Sequence, residues 1–146
     1  MASANQRQVA GDHYKKAKYQ HWDFAADNRL GYFEGQITKY VTRWREKNGI
    51  QDLEKALHFA DKLYELLGSA SYTAPPKRQM YNFNEFATVY ALGKTEARIV
   101  TICSLYTEPH HFLEVRSLLK DLIADEKEQL KREWGGVGNR GSSIEV

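Results

Sequence analysis

Cationic side chains recur at helical spacing in the first third of the chain: Lys39, Arg43 and Lys47, with Gln36 a turn ahead of them. At about 100° per residue these four fall on one narrow stripe. A stripe of this kind can hold an anion. A guanidinium offers a planar fork to phosphate oxygens, and an ammonium offers a compact point charge. The stripe borders an apolar face made by Phe33, Ile37, Tyr40, Val41 and Trp44, and Thr38, Thr42 and Arg45 are expected on the outermost face. Basic heads at the edge of a core keep their stems packed and aim their charge at an adjoining cleft. A merely solvated basic face shows the same pattern, so geometry alone leaves both readings open.

The segment Gly11-Asp12-His13-Tyr14 adds a second group. His13 can contact a phosphate or move a proton. Tyr14 or Trp22 can stack on a nucleobase. The plainer reading is an arm that docks Tyr14 into the core. Other signals are weaker. Gly93-Lys94-Thr95 looks like the end of a phosphate-binding loop, but Thr88 stands where that loop requires glycine. It reads instead as a helix stop followed by Thr95 as N-cap. His110 and His111 are adjacent and point to different sides of a helix, so no metal site is expected there. Asp23, Asp27, Glu34, Asp52 and Asp61 could serve magnesium, yet no spacing singles out a pair.

The elements that position these residues follow from periodicity. The chain has 146 residues and a net charge of +2, which suits one domain and calls for no DNA or RNA partner. Cys103 is the single cysteine, so no internal disulfide forms. No apolar run approaches the ~20 residues that cross a bilayer, and the first residues lack a signal-peptide core. A cytoplasmic protein without a membrane partner is expected.

A short helix is expected near 22–27 and a long one over about 32–47, stopped by Asn48-Gly49. A second long helix follows over about 52–67, giving an antiparallel hairpin. Residues 68–80, with Pro75-Pro76, read as a linker. A short helix is expected over 84–92. The segment after Gly93 suits either a strand or a helix, and Pro109 opens a helix over about 110–134. The tail 135–146 is expected to be disordered.

Leu30, Gly31, Glu34, Ile37 and Glu46 match Leu92, Gly93, Glu96, Ile99 and Glu108 without gaps, and Trp44 falls opposite Tyr106. A match this short can arise by chance, but an internal duplication would make the ambiguous segment helical. The predicted fold is all-α: two helical hairpins packed as a four-helix unit, in a single domain over 1–134, with an ordered N-terminal arm. The hairpins would occupy 11–67 and 82–134. Lys39 and Arg43 align with Thr101 and Leu105, so a packing role shared by both hairpins would not require the basic pair.

Residues 11–67 resemble a small phage domain family of unknown function. The likeness rests on His13, Tyr14, Trp22, Asp23, Phe33, Gly35, Lys39, Tyr40, Arg43, Lys47, Asp52, Leu53, Lys55 and Ala56, in that order. The family includes the nucleotide kinase of T-seven-type lytic phages, which lacks a P-loop and phosphorylates dTMP and dGMP. The resemblance implies a deoxynucleoside monophosphate kinase acting in an infected bacterial cytoplasm. Lys39 and Arg43 would hold donor and acceptor phosphates, and Lys47 the donor's outer phosphates. His13 would orient or deprotonate the acceptor, with Gln36, Tyr14 and Trp22 on the substrate. Whether magnesium accompanies the nucleotide stays open. A small bundle encloses two nucleotides poorly, so a homo-oligomer with the site between subunits is expected. Two other classes remain: a non-catalytic nucleotide sponge, and a helical adaptor for a host protein.

Overall fold

The computed structural model describes residues 18–69, 72 and 79–139, the last five by their backbone alone. Six α-helices make up this part: α1 His21–Asp27, α2 Tyr32–Arg43, α3 Ile50–Leu67, α4 Phe83–Val89, α5 Lys94–Leu105 and α6 His111–Asn139. A 3-10 turn, Trp44–Glu46, follows α2. No strand occurs among the described residues. The ambiguous segment is therefore helical, and its β-branched residues Ile99, Val100 and Ile102 are buried in the bundle.

The chain is built twice. One constant step in the numbering carries His21 onto Phe83, Asp27 onto Val89, Tyr32 onto Lys94 and Arg43 onto Leu105, so both short helices and both following helices correspond end to end. The connections correspond too. Arg29 and Ala91, at matching positions, both have φ of 50°. Gly31 and Gly93 are both extended N-caps. The Leu30 amide bonds the Ala25 carbonyl, and the Leu92 amide bonds Ala87. In each copy a short helix turns through a left-handed residue into a helix capped by glycine. Gly93 therefore caps α5, and the expected cap Thr95 lies inside the first turn, because the backbone has already entered the helix two residues earlier.

The two copies pack α2 on α5, α3 on α6 and α1 on α4. Phe24 and Phe86, which correspond to each other, stack with ring centroids 4.3 Å apart and planes 14° from parallel. They form a small cluster with Val100. The main core joins Ile37, Val41 and Leu53 of the first copy to Ile99, Phe112 and Val115 of the second. A fully buried apolar side chain of this size contributes about 1.5–3 kcal/mol. Neither hairpin could bury its stripe alone.

Two glutamates lie inside this interface. Glu34 is 1% exposed and Glu96 3%. Tyr106 donates its hydroxyl to Glu34 Oε2 at 2.5 Å. Trp44 donates its indole N–H to Glu96 Oε2 at 3.0 Å. Since Glu34 matches Glu96 and Trp44 matches Tyr106, the pairs are reciprocal. Arg45 adds a charge-assisted bond to Glu96 from its Nη2 at 3.0 Å.

Several expected boundaries move. α2 ends at Arg43 and gives way to the 3-10 turn, so Lys47 leaves the helical stripe. The chain reverses where the Gly49 amide bonds the Trp44 carbonyl, with Gly49 at φ 57°, ψ −130°. α3 starts at Ile50, and α6 runs on to Asn139. Residues 140–146 lie outside the described residues.

Candidate functional site

The outer surface of α2 is not the one expected. Thr38 is fully buried and the Thr42 hydroxyl is buried too, while Gln36 and Lys39 are partly exposed and the Arg43 side chain is 16% exposed. The reason is that α2 has neighbours on two sides: α3 covers Ile37 and Val41, and α1 with α5 covers Glu34 and Thr38. The buried arc is wider than the apolar stripe. Polar residues enter it because partners await them. Thr38 Oγ1 lies 2.7 Å from His21 Nε2 and donates to the Glu34 carbonyl at 2.9 Å. With the hydroxyl proton so engaged, the imidazole N–H donates to Thr38. Burial, and then the charge of Lys39, push the His21 pKa down to about 4, so the ring is neutral near pH 7.

Three cations converge on one ring. Lys39 Nζ and Arg43 Cζ each lie 4.7 Å from the Tyr40 centroid, and Lys55 Nζ lies 5.5 Å away. Lys39 and Arg43 come from α2, and Lys55 from the facing turn of α3. Tyr40 is in turn stacked on Phe59 of α3, 6.1 Å between centroids. The face of an aromatic ring attracts cations, which gathers them at modest cost. Arg43 is neutralised by Asp52, which is fully buried: Nε and Nη2 each reach a carboxylate oxygen at 3.3 Å. Asp52 also accepts from the Asn48 amide at 3.2 Å. No carboxylate pairs with Lys39 or Lys55 among the described residues.

Beside this group the α2–α3 crevice holds a cavity of about 180 Å³ lined by Phe33, Lys55, His58, Phe59 and Lys62. A wider groove of about 530 Å³ lies elsewhere, between Trp44–Arg45 and the acidic side of α6. Among the described residues no three His, Cys, Asp or Glu gather to ligate a metal. Asp52, one of the carboxylates weighed for magnesium, is committed to Arg43 and Asn48.

Of the residues singled out from sequence, Lys39 and Arg43 are brought together, with Gln36 on the same side of α2. Lys47 stands apart, exposed beyond the helix end. Trp22 lies on α1 and is 52% exposed. His13 and Tyr14 lie outside the described residues. The bond from Arg43 to buried Asp52 ties it to the hairpin's own packing, which its alignment with Leu105 does not suggest. Arg45 is likewise no idle surface charge, since it stacks on Trp44 at 4.2 Å and pairs with Glu96. Lys55, His58 and Phe59 were missed as site residues. Only the hairpin register, which sets α3 against α2, brings them to Tyr40.

The second copy carries none of this. Phe33, Lys39, Tyr40 and Arg43 of α2 correspond to Thr95, Thr101, Ile102 and Leu105 of α5. The cationic-aromatic group belongs to the first hairpin.

Residues 9–61, which include that hairpin's α1 and α2 and most of α3, match a family described as protein of unknown function (DUF3310). No curated protein and no solved structure matches the chain. No helix among the described residues is long and apolar enough to cross a membrane.

Proposed function

We propose that the first hairpin binds nucleotide phosphates at Lys39, Arg43 and Lys55, and that the chain transfers a phosphoryl group from a nucleoside triphosphate to a deoxynucleoside monophosphate. The observation that carries the binding is the convergence of Lys39, Arg43 and Lys55 on the Tyr40 ring, with no carboxylate paired to Lys39 or Lys55 among the described residues. The kinase activity is what the resemblance to the P-loop-less phage enzyme implies, and fold or family alone does not transfer chemistry. In the reaction an acceptor phosphate oxygen attacks the donor's γ-phosphorus, and the bond from that phosphorus to the bridging oxygen breaks, releasing a diphosphate. Such transfer depends on positioning and charge stabilisation and requires no covalent link to the protein. Arg43, held by Asp52 through Nε and Nη2, would meet phosphate with its Nη1 edge, and Lys39 and Lys55 would follow the migrating charge. A homo-oligomer would supply the enclosure that one open hairpin does not.

That openness favours a second reading, a nucleotide binder without turnover. The test incubates the purified chain with ATP and dTMP or dGMP, with and without magnesium, and follows diphosphate formation alongside mass detection of bound small molecules. Turnover supports the kinase. Stoichiometric binding without turnover supports the sponge. Neither binding nor turnover rejects the phosphate site and leaves the helical adaptor.

A further inference from the structure

We infer that the crevice between α2 and α3, floored by Phe33 and Phe59, is the seat of the nucleotide's base. This rests on the phosphate reading of Lys39, Arg43 and Lys55 and adds the part of the ligand that reading leaves unplaced.

Size is the first argument. The cavity measures about 180 Å³. A cavity of ~150 Å³ accepts benzene in another protein, whereas whole ligands of drug size occupy ~300–1,000 Å³. The crevice therefore suits one planar ring system and leaves the rest of the ligand outside. Its surface is the second argument. Phe33 and Phe59 meet at 6.2 Å between centroids and 59° between planes, which makes an angled aromatic floor. A base can lie on such a floor whatever its sequence identity, because every base has a π-face.

Position is the third argument. Lys55 lines the cavity and also faces the Tyr40 ring, so the apolar seat and the cationic group share a residue. Phe59 and Tyr40 are stacked 6.1 Å apart, which sets the base one ring's width from the phosphate. The sugar spans that step. The repeat supplies the fourth argument. Phe33 corresponds to Thr95 of α5, which forms a helix of matching bounds without an aromatic there. An aromatic at that position is not a requirement of the motif.

The test titrates the full chain calorimetrically with dTMP, with 2-deoxyribose 5-phosphate and with pyrophosphate. The second ligand is the first without its base. We expect dTMP to bind about tenfold tighter than the base-free ligand, in the range that one stacked base supplies. Phe59→Leu should abolish that advantage, weakening dTMP about tenfold more than 2-deoxyribose 5-phosphate. Phe59→Tyr should restore it. Should Phe59→Leu fail to fold, saturation transfer on the unaltered protein takes its place: irradiating phenylalanine ring protons should reach the thymine protons more strongly than the sugar protons. Equal affinity with and without the base overturns the base seat alone, provided pyrophosphate still binds. So does equal weakening of both ligands by Phe59→Leu. Binding of no phosphate ligand overturns the phosphate site as well.

Discussion

Tyr106 donates its hydroxyl to Glu34 across 2.5 Å, from the end of α5 to the start of α2. Burial, and then this bond, hold the tyrosine pKa well above its ordinary value, so the proton stays on the phenol. Glu34 Oε1 has no hydrogen-bond partner among the described residues. Tyr106→Phe therefore strips the carboxylate of the one donor shown for it. Leaving a buried acceptor without its donor costs about 1–3 kcal/mol. Trp44→Phe should cost less, because Glu96 retains Arg45. Urea denaturation of both variants checks the order. Equal losses would mean that Arg45 contributes nothing to the Glu96 pair.

Lys39 and Arg43 share a ring but not a role in folding. Arg43→Ala leaves Asp52 buried with the Asn48 bonds alone, and a loss of about 2–3 kcal/mol is expected, below the full cost of a broken buried pair. Lys39→Ala should stay within about ±0.5 kcal/mol. Each should weaken phosphate binding about tenfold or more, the scale of one charged hydrogen bond. Lys120→Ala, on the exposed side of α6, is the control. Thermal melts and pyrophosphate titrations read the two effects separately. Unchanged binding in Lys39→Ala would remove the ammonium from the site.

His21 ties stability to pH. Its folded pKa is about 4 against 6.5 for a free imidazole. Between those values the unfolded chain binds the extra proton, so stability rises with pH across the window and is lost as pH falls from 6.5 toward 4. A shift of that size is worth on the order of 3 kcal/mol, since each pKa unit corresponds to about 1.4 kcal/mol. His21→Asn should be less stable at pH 7 and lose less on acidification. Denaturation midpoints at pH 7 and pH 4.5 measure this. Parallel losses in parent and variant would place the acid sensitivity elsewhere.

Three glycines separate backbone strain from packing. Gly49 sits at φ 57°, ψ −130°, where a side chain is strained, so Gly49→Ala should cost about 1–3 kcal/mol. At Gly93 an added Cβ would stand 2.6 Å from Glu96 Oε1, and Glu96 is pinned by Trp44 and Arg45. A loss of about 1–3 kcal/mol is expected there from overpacking. Gly35 is helical with nothing within 4 Å of such a Cβ, so Gly35→Ala should stabilise by about 1 kcal/mol. Thermal melts of the three variants give the signs.

Helical period made α2, α3 and α6 legible, and the spacing of Leu30, Gly31 and Glu34 against Leu92, Gly93 and Glu96 made the repeat legible. The burial of those glutamates was not. Charged residues are almost never fully buried unless paired, and their partners Tyr106 and Trp44 are far away in sequence. Thr38 was misplaced for a related reason: the apolar stripe shows which arc faces one neighbour, whereas α2 has two. The basic group was half visible. Lys39 and Arg43 share a helix face, but Lys55 joins them only through the turn at Gly49, and Asp52 is brought to Arg43 by that same turn.

Both buried glutamate pairs run from one copy to the other, as do the packings of α1 on α4 and α3 on α6. The interface therefore depends on having one hairpin of each kind and is indifferent to which polypeptide supplies it. Shortening the stretch between Ser69 and Met80 until it cannot fold back should leave every one of these contacts attainable by exchange between two chains. Light scattering would then find a closed dimer with traded halves, each carrying its own cationic hairpin on the outside.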